Sequence, residues 1–210
     1  MFTRFSWVTL GCRQGPHPIC DRDLLDDPLA AVVPTLGSLV PGWLLVVPKT
    51  ESLAFAGLSG PTRRDILILA RNLAAEVKAF GRNSFILEHG PSSPASVVGC
   101  GVDQAHLHIV PLDANLSAAA LADSSVRWTP ADPQDPWDGC LPGQQYYLIC
   151  GSDGSYMGSP RVAQSQYFRR KIAQIVGMPD AWDYREWPCH ENVQRTIEHF
   201  ADAERQRRAA

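Results

Sequence analysis

From Thr62 to Phe80 the apolar residues Ile66, Leu69, Leu73, Val77 and Phe80 recur at helical spacing, whereas the apolar runs on either side are too short to be helices. Upstream, LAAVVPTLGSLVPGWLLVVPK holds two such runs separated by Thr35, Gly37, Ser38, Pro41 and Gly42, the pattern of two strands joined by a turn-rich connection. The second run, Trp43 to Val47, stops at Pro48, which has no N–H for a central ladder. Downstream, SFILEH and AHLHIVPL read as strands, and residues 90–101 between them form a loop rich in Gly, Ser and Pro. Thr62 is placed to cap the helix, with Asp65 three residues later, and Gly81 ends it. Strand pairs on both sides of one long helix predict an α+β fold with a mainly antiparallel sheet.

The expected division is a first unit over residues 1–122 and an extension over 123–210 packed on the same domain. Residues 123–144, rich in Asp, Pro and Gly, read as an ordered surface loop or cover, and YYLIC (Tyr146 to Cys150) as a further strand. SQYFRRKIAQIVG places Phe168, Ile172 and Ile175 at helical spacing before Gly177, and a last helix spans roughly Glu191 to Gln206.

With 210 residues, 45% of them hydrophobic, the chain can bury a core without a metal or disulfide staple. A formal net charge of −3 gives no general electrostatic reason to bind a nucleic acid polymer or a membrane, so any anionic ligand needs a local site. No run approaches the ~20 apolar residues of a membrane helix. The start, MFTRFSWVTLGC, lacks the apolar core and cleavage site of a signal peptide, which makes a cytoplasmic location the default expectation. Six cysteines, at 12, 20, 100, 140, 150 and 189, form no CxxC pair and read as free thiols. Cys12 and Cys20 are spaced more widely than common structural zinc motifs. No metal or cofactor is expected.

DQAHLHIVPL carries the chemistry. On a strand, Gln104, His106 and His108 share one face while Ala105, Leu107 and Ile109 share the other. Alternate residues lie about 6.6 Å apart along a strand, so all three can reach one ligand. Next to them the glycines of Gly99-Cys100-Gly101 let backbone N–H groups converge on an anion. A His-x-His pair of this kind serves as metal ligands, as a hydrogen-bonded structural pair or in catalysis.

GWLLVVPK, a helix, FILEHG, a glycine-rich loop and DQAHLHIVPL occur in an order that resembles the histidine triad superfamily of nucleotide hydrolases and transferases. The family motif, His-φ-His-φ-His-φ-φ with φ apolar, is matched by Gln104-Ala105-His106-Leu107-His108-Ile109-Val110, with Gln104 in place of the first histidine. GCGVDQAHLHIVP, with SQYFRR, GMPDAWDYREWP and ENV further on, is similar to a bacterial branch with a C-terminal extension.

The resemblance implies that His106 attacks the α-phosphorus of a nucleotide to give a covalent nucleotidyl-histidine. It also implies that His108 donates a hydrogen bond or proton near the phosphate and leaving group, and that Gln104 contacts a phosphate or holds His106. Gly99, Cys100 and Gly101 would bind nonbridging oxygens; Glu88, His89, Arg169 and Arg170 are further candidate substrate contacts. Many members of the family place an acidic ribose contact where Thr35 stands. The reaction expected is cleavage or transfer at a phosphoric anhydride or phosphoramidate bond, and a homodimer is expected because small members of the family dimerise. Trp43, Trp182 and Trp187 are read as core or interface anchors. The alternatives are a nucleotide-binding protein with little or no turnover and a His-x-His metalloprotein with His89 or Glu88 as third ligand.

Overall fold

The structure, a computed structural model, describes residues 23–99, 103–141 and 143–209. Its strands are β1 (Ala30–Pro34), β2 (Leu44–Pro48), β3 (Asn83–Gly90), β4 (Leu107–Leu112), β5 (Val126–Pro130), β6 (Tyr146–Gly151) and β7 (Gly154–Pro160). They form one sheet in the order β1-β2-β4-β3-β6-β7-β5, antiparallel at each described pairing. The helices are α1 (Gly60–Glu76), continued by a 3-10 turn over Val77–Phe80, α2 (Leu116–Leu121), α3 (Tyr167–Ile175) and α4 (His190–Ala209). The α+β architecture with a mainly antiparallel sheet is as expected.

Alternation along the strands divides the buried side chains between two layers. Leu44, Val46, Ile86, Leu107, Ile109 and Leu148 pack against Ile66, Leu67, Ala70 and Leu73 of α1. Trp43, Phe85, Leu87, Val110, Tyr147 and Ile149 pack on the opposite face against Leu116 of α2 and Phe168 and Ile172 of α3. The sheet therefore has a helical layer on each side, and the second is built largely from the C-terminal part of the chain.

Three expectations need correction. The cap of α1 is Ser59, whose hydroxyl accepts the Thr62 N–H; Pro61 in the first turn has no N–H to satisfy, which moves the start upstream of Thr62. The segment 123–144 is more than a cover, because it contains β5 and buries Trp137 in the α1 layer. Arg63 of α1 grips Asp135 in that segment through Nε and Nη2, at 3.0 and 2.9 Å. The hairpin strand β7 is not among the expected elements, because GSYMGSP is poor in apolar residues, although it lies between β6 and β5. Finally, β4 begins at Leu107, so His106 precedes the strand.

The sheet continues without a break across residue 122, since β6 pairs with β3 from Ile86↔Cys150 to Gly90↔Tyr146. The last helix also ties back to the N-terminal half: Thr196 Oγ1 of α4 accepts the Gly42 N–H at 2.7 Å, and Asn192 donates to the Ser38 carbonyl at 2.8 Å. Cys140, Cys150 and Cys189 are free; Cys12 and Cys20 lie outside the described residues. Among the described residues, no helix is long and apolar enough to cross a membrane.

Candidate functional site

Three histidines meet on the sheet face covered by α3. His108 lies in β4 opposite Leu87 of β3, and His89 follows Leu87 by two residues, so alternation puts both imidazoles on that face. The His106 and His108 rings stand 4.9 Å apart between centroids, and the His89 and His108 rings 5.8 Å apart, both edge-on. All three are buried. The face is rimmed by aromatic groups, with Tyr147 and Phe168 packed against His89 and Trp43 against His108.

Each ring has one nitrogen engaged by a backbone or indole group, and that contact fixes where the proton sits. His106 Nδ1 is 2.8 Å from the Gln104 carbonyl oxygen, which can only accept, so Nδ1 carries the hydrogen and Nε2 keeps the lone pair. Trp43 Nε1, which can only donate, donates to His108 Nδ1 at 3.1 Å; the neutral His108 therefore bears its hydrogen on Nε2. The Phe168 N–H donates to His89 Nε2 at 3.3 Å, which places the His89 hydrogen on Nδ1. That Nδ1 is buried and has no hydrogen-bond partner among the described residues.

Burial favours neutral rings at every position. Desolvation lowers His106 below its ordinary value of 6.5, opposed only by the bond to the Gln104 carbonyl. His108 is pushed well below that value by burial first, then by its histidine neighbours and Arg169. His89 falls to about 3 through burial, with smaller contributions from His106 and Arg169.

The other candidate residues divide clearly. Gln104 is not aimed at a phosphate: its side-chain amide donates to the Pro48 and Thr50 carbonyls, at 3.1 and 3.3 Å. Beyond the last β2–β4 pair, Val46↔Leu107, these bonds and Ala105 N–H to the Ser52 carbonyl hold the approach to the strand, and with it His106. Glu88 faces the α1 layer, on the side of the sheet away from the histidines. It accepts from the Phe55 N–H, Trp137 Nε1 and the Tyr146 hydroxyl at 2.7, 2.6 and 2.8 Å, and its burial raises the carboxyl to about 7 against the pull of those donors. It is therefore a core residue, not a substrate contact.

The Gly99 N–H is already bonded to the Ser96 carbonyl at 3.1 Å in a turn, which removes it as a free anion donor; Cys100 and Gly101 lie outside the described residues. Arg169 is buried, donates through Nε to the Trp182 carbonyl and through Nη2 to the Gly37 carbonyl, and lies over the Trp43 ring. It acts on the histidines through its charge. Gly37 sits at φ +73°, and a Cβ there would come within 2.6 Å of the Arg169 guanidinium. Arg170 donates to the Ser165 carbonyl and stacks on Trp182 at 3.3 Å, a contact internal to the C-terminal part. Thr35 is buried, with its N–H on the Trp43 carbonyl.

Two contributors escape the sequence reading. Trp43 is an anchor, as expected, but its indole also sets the His108 tautomer; the signal was its parity, since Trp43 and Leu45 share a face and Leu45 pairs with His108. The Phe168 backbone N–H has no sequence signal at all.

Among the described residues, no three His, Cys, Asp or Glu side chains are grouped to hold a metal ion. The tautomers also work against the pair: a metal on His108 Nε2 would have to displace the proton that the Trp43 donor puts there. No family model and no curated protein matches the chain.

Proposed function

We propose that the protein cleaves or transfers a nucleoside monophosphate from a nucleotide conjugate through a covalent nucleotidyl-His106 intermediate. The observation that supports this reading is the His106 Nδ1 contact with the Gln104 carbonyl, which leaves a neutral imidazole with its Nε2 lone pair available. Such a nitrogen is nucleophilic near neutral pH, and dividing the transfer into two displacements is the general advantage of covalent catalysis. Attack by Nε2 on the α-phosphorus forms the P–N bond as the bond to the leaving group breaks. Water or another acceptor then attacks the phosphorus, the P–N bond breaks, and the acceptor's proton passes to solvent. His108 Nε2–H, 4.9 Å away between ring centroids, donates a hydrogen bond to phosphate oxygen. The resemblance of residues 104–110 to the triad motif points to the same chemistry.

The test is intact-protein mass spectrometry after brief mixing with adenine, guanine, uracil and cytosine nucleotide conjugates, acid-labile adducts preserved. Added mass of one nucleoside monophosphate on wild type, absent in His106→Ala, is the expected result. No adduct and no turnover with any compound would overturn the reading.

A further inference from the structure

On the side of the sheet away from the histidines, the end of α1 and the β6–β7 hairpin enclose a cleft of about 480 Å³, within the size range of small-molecule sites. Strand register sets its floor: Ile86 of β3 pairs with Cys150 of β6, which pairs with Ser155 of β7, and all three line the cleft. One wall is the α1 face carrying Arg71, Ala74 and Ala75, continued by Lys78 in the 3-10 turn, residues three and four apart that form one stripe. The two alanines stop at Cβ, and Gly151 and Gly154 across the cleft have no side chain, so the space between the walls stays open.

Three cations border this space, Arg71, Lys78 and Arg82, and none of the described lining residues is acidic, in a chain whose formal net charge is −3. The acids on neighbouring elements are turned elsewhere. Glu76 of α1 lies 3.3 Å from His199 Nε2 of α4, Asp153 of the hairpin turn accepts from Asn115 at the start of α2 at 3.2 Å, and Asp135 holds Arg63. Asp113 does approach Arg82, at 3.4 Å, but the two side chains are 71% and 82% exposed, and such a pair is weak and screened by salt. Arg71 donates to the Pro133 carbonyl at the rim, and the Lys78 ammonium has no ionic partner among the described residues. Like charges gathered without counter-charge repel one another, and an anion between them relieves that repulsion.

We propose that this cleft is a separate anion site that takes a condensed phosphate chain, free or as the tail of a nucleotide, held by Arg71, Lys78 and Arg82. Arg71 and Lys78 are two helical turns apart, about 10 Å along the axis, which suits charge strung over several ångströms better than one compact anion. The hydroxyls of Ser84 and Ser152 on the lining add neutral hydrogen-bond donors. None of the described lining residues is aromatic, so the cleft offers nothing for a base to stack on, and the phosphates are the part it recognises. The site lies on the opposite face of the sheet from His106 and stands or falls independently of nucleotidyl transfer.

The experiment is titration calorimetry of the full chain with sodium tripolyphosphate, pyrophosphate, orthophosphate and ATP, without magnesium, at low and high salt. Saturable binding of tripolyphosphate is expected, with orthophosphate at least about 10-fold weaker and all affinities falling as salt rises. Arg71→Gln and Lys78→Gln should each weaken tripolyphosphate by about 10-fold, the size of one charge-assisted contact. Ala75 is exposed on the helix, so Ala75→Glu adds an acid between Arg71 and Lys78 without disturbing the core and should abolish binding. Ala75→Gln fills the same space without charge and should lose less; thermal melts establish that the variants fold. Arg185→Gln, which removes an equal charge beside Tyr184 outside the cleft, and His106→Ala should both bind as wild type does. ATP binding more weakly than tripolyphosphate marks a free condensed phosphate as the occupant, and ATP binding more tightly, with the excess lost in Ala75→Glu, marks a nucleotide tail; either supports the site. The proposal is overturned if tripolyphosphate does not bind, if orthophosphate binds as tightly, if folded Ala75→Glu retains binding, if Arg185→Gln loses as much as Lys78→Gln, or if only His106→Ala loses it.

Discussion

Trp43 Nε1 donates to His108 Nδ1 across 3.1 Å, joining the residue that heads β2 to the imidazole in the middle of β4. The contact decides which His108 nitrogen carries the proton, and so which is left as a donor. Trp43→Phe keeps an aromatic ring in the layer against α3 but removes the N–H that selects this tautomer. The expected outcome is a folded protein whose kcat/KM falls on the order of 10²-fold, the size of a lost acid–base or donor contribution. Steady-state kinetics on the responsive nucleotide measures this. Imidazole nitrogen chemical shifts should show His108 moving from one tautomer to a mixture.

Glu88 makes stability depend on pH in a direction opposite to that of most carboxylates. Its folded-state pKa is raised to about 7 from 4.5, so between those values the folded protein holds a proton that the unfolded chain has lost. The contribution of this group to stability is greatest below pH 4.5, declines as pH rises to about 7, and is constant above. A shift of that size corresponds to about 3 kcal/mol. Urea denaturation across this window should show the decline in wild type, and Glu88→Gln, which cannot ionise, should flatten it. An equal slope in the variant would mean that the carboxyl titrates normally.

Gln104, which stands where the motif that this sequence resembles has a histidine, spends its amide on two backbone carbonyls. Gln104→Ala leaves the Pro48 and Thr50 carbonyls without that donor, one of them buried, and is expected to cost about 1–3 kcal/mol of stability. Gln104→His would restore the motif in sequence without restoring a side chain in the histidine cluster, so its turnover should stay within a few-fold of wild type. A gain of 10²-fold in Gln104→His would show that position 104 does reach the substrate.

The strand–helix–strand frame was legible because its elements are apolar with clean periods: Leu44 and Val46 alternate against Ile109, and Ile66 to Val77 repeat at helical spacing. The pairing of His106 with His108 was legible for the same reason. What stayed hidden depends on long-range contacts. Glu88 and His89 are neighbours in sequence, and only the register of β3 against β4 and β6 shows that one serves the α1 layer and the other the histidine cluster. Strand β5 carries few buried residues because it is the edge strand of the sheet, and β7 beside it is built from small and polar residues that give no strand pattern. The Phe168 N–H reaches His89 from 79 residues away, and no local pattern encodes that bond.

The pH dependence of His106 follows from its surroundings. Burial lowers its pKa below 6.5, while the bond from Nδ1–H to the Gln104 carbonyl partly opposes the shift by favouring the charged form. The neutral ring is therefore the major form at pH 7, and pH must fall below 6.5 before Nε2 is half protonated. Adduct formation in single turnovers should be independent of pH above neutrality and should decline only on an acid limb whose midpoint lies below 6.5. Rapid-quench measurement of the nucleotidylated protein from pH 4 to 9 separates this step from later hydrolysis. A midpoint above 6.5 would mean that His106 is charged near neutrality, and a nucleophilic role for it would then fail.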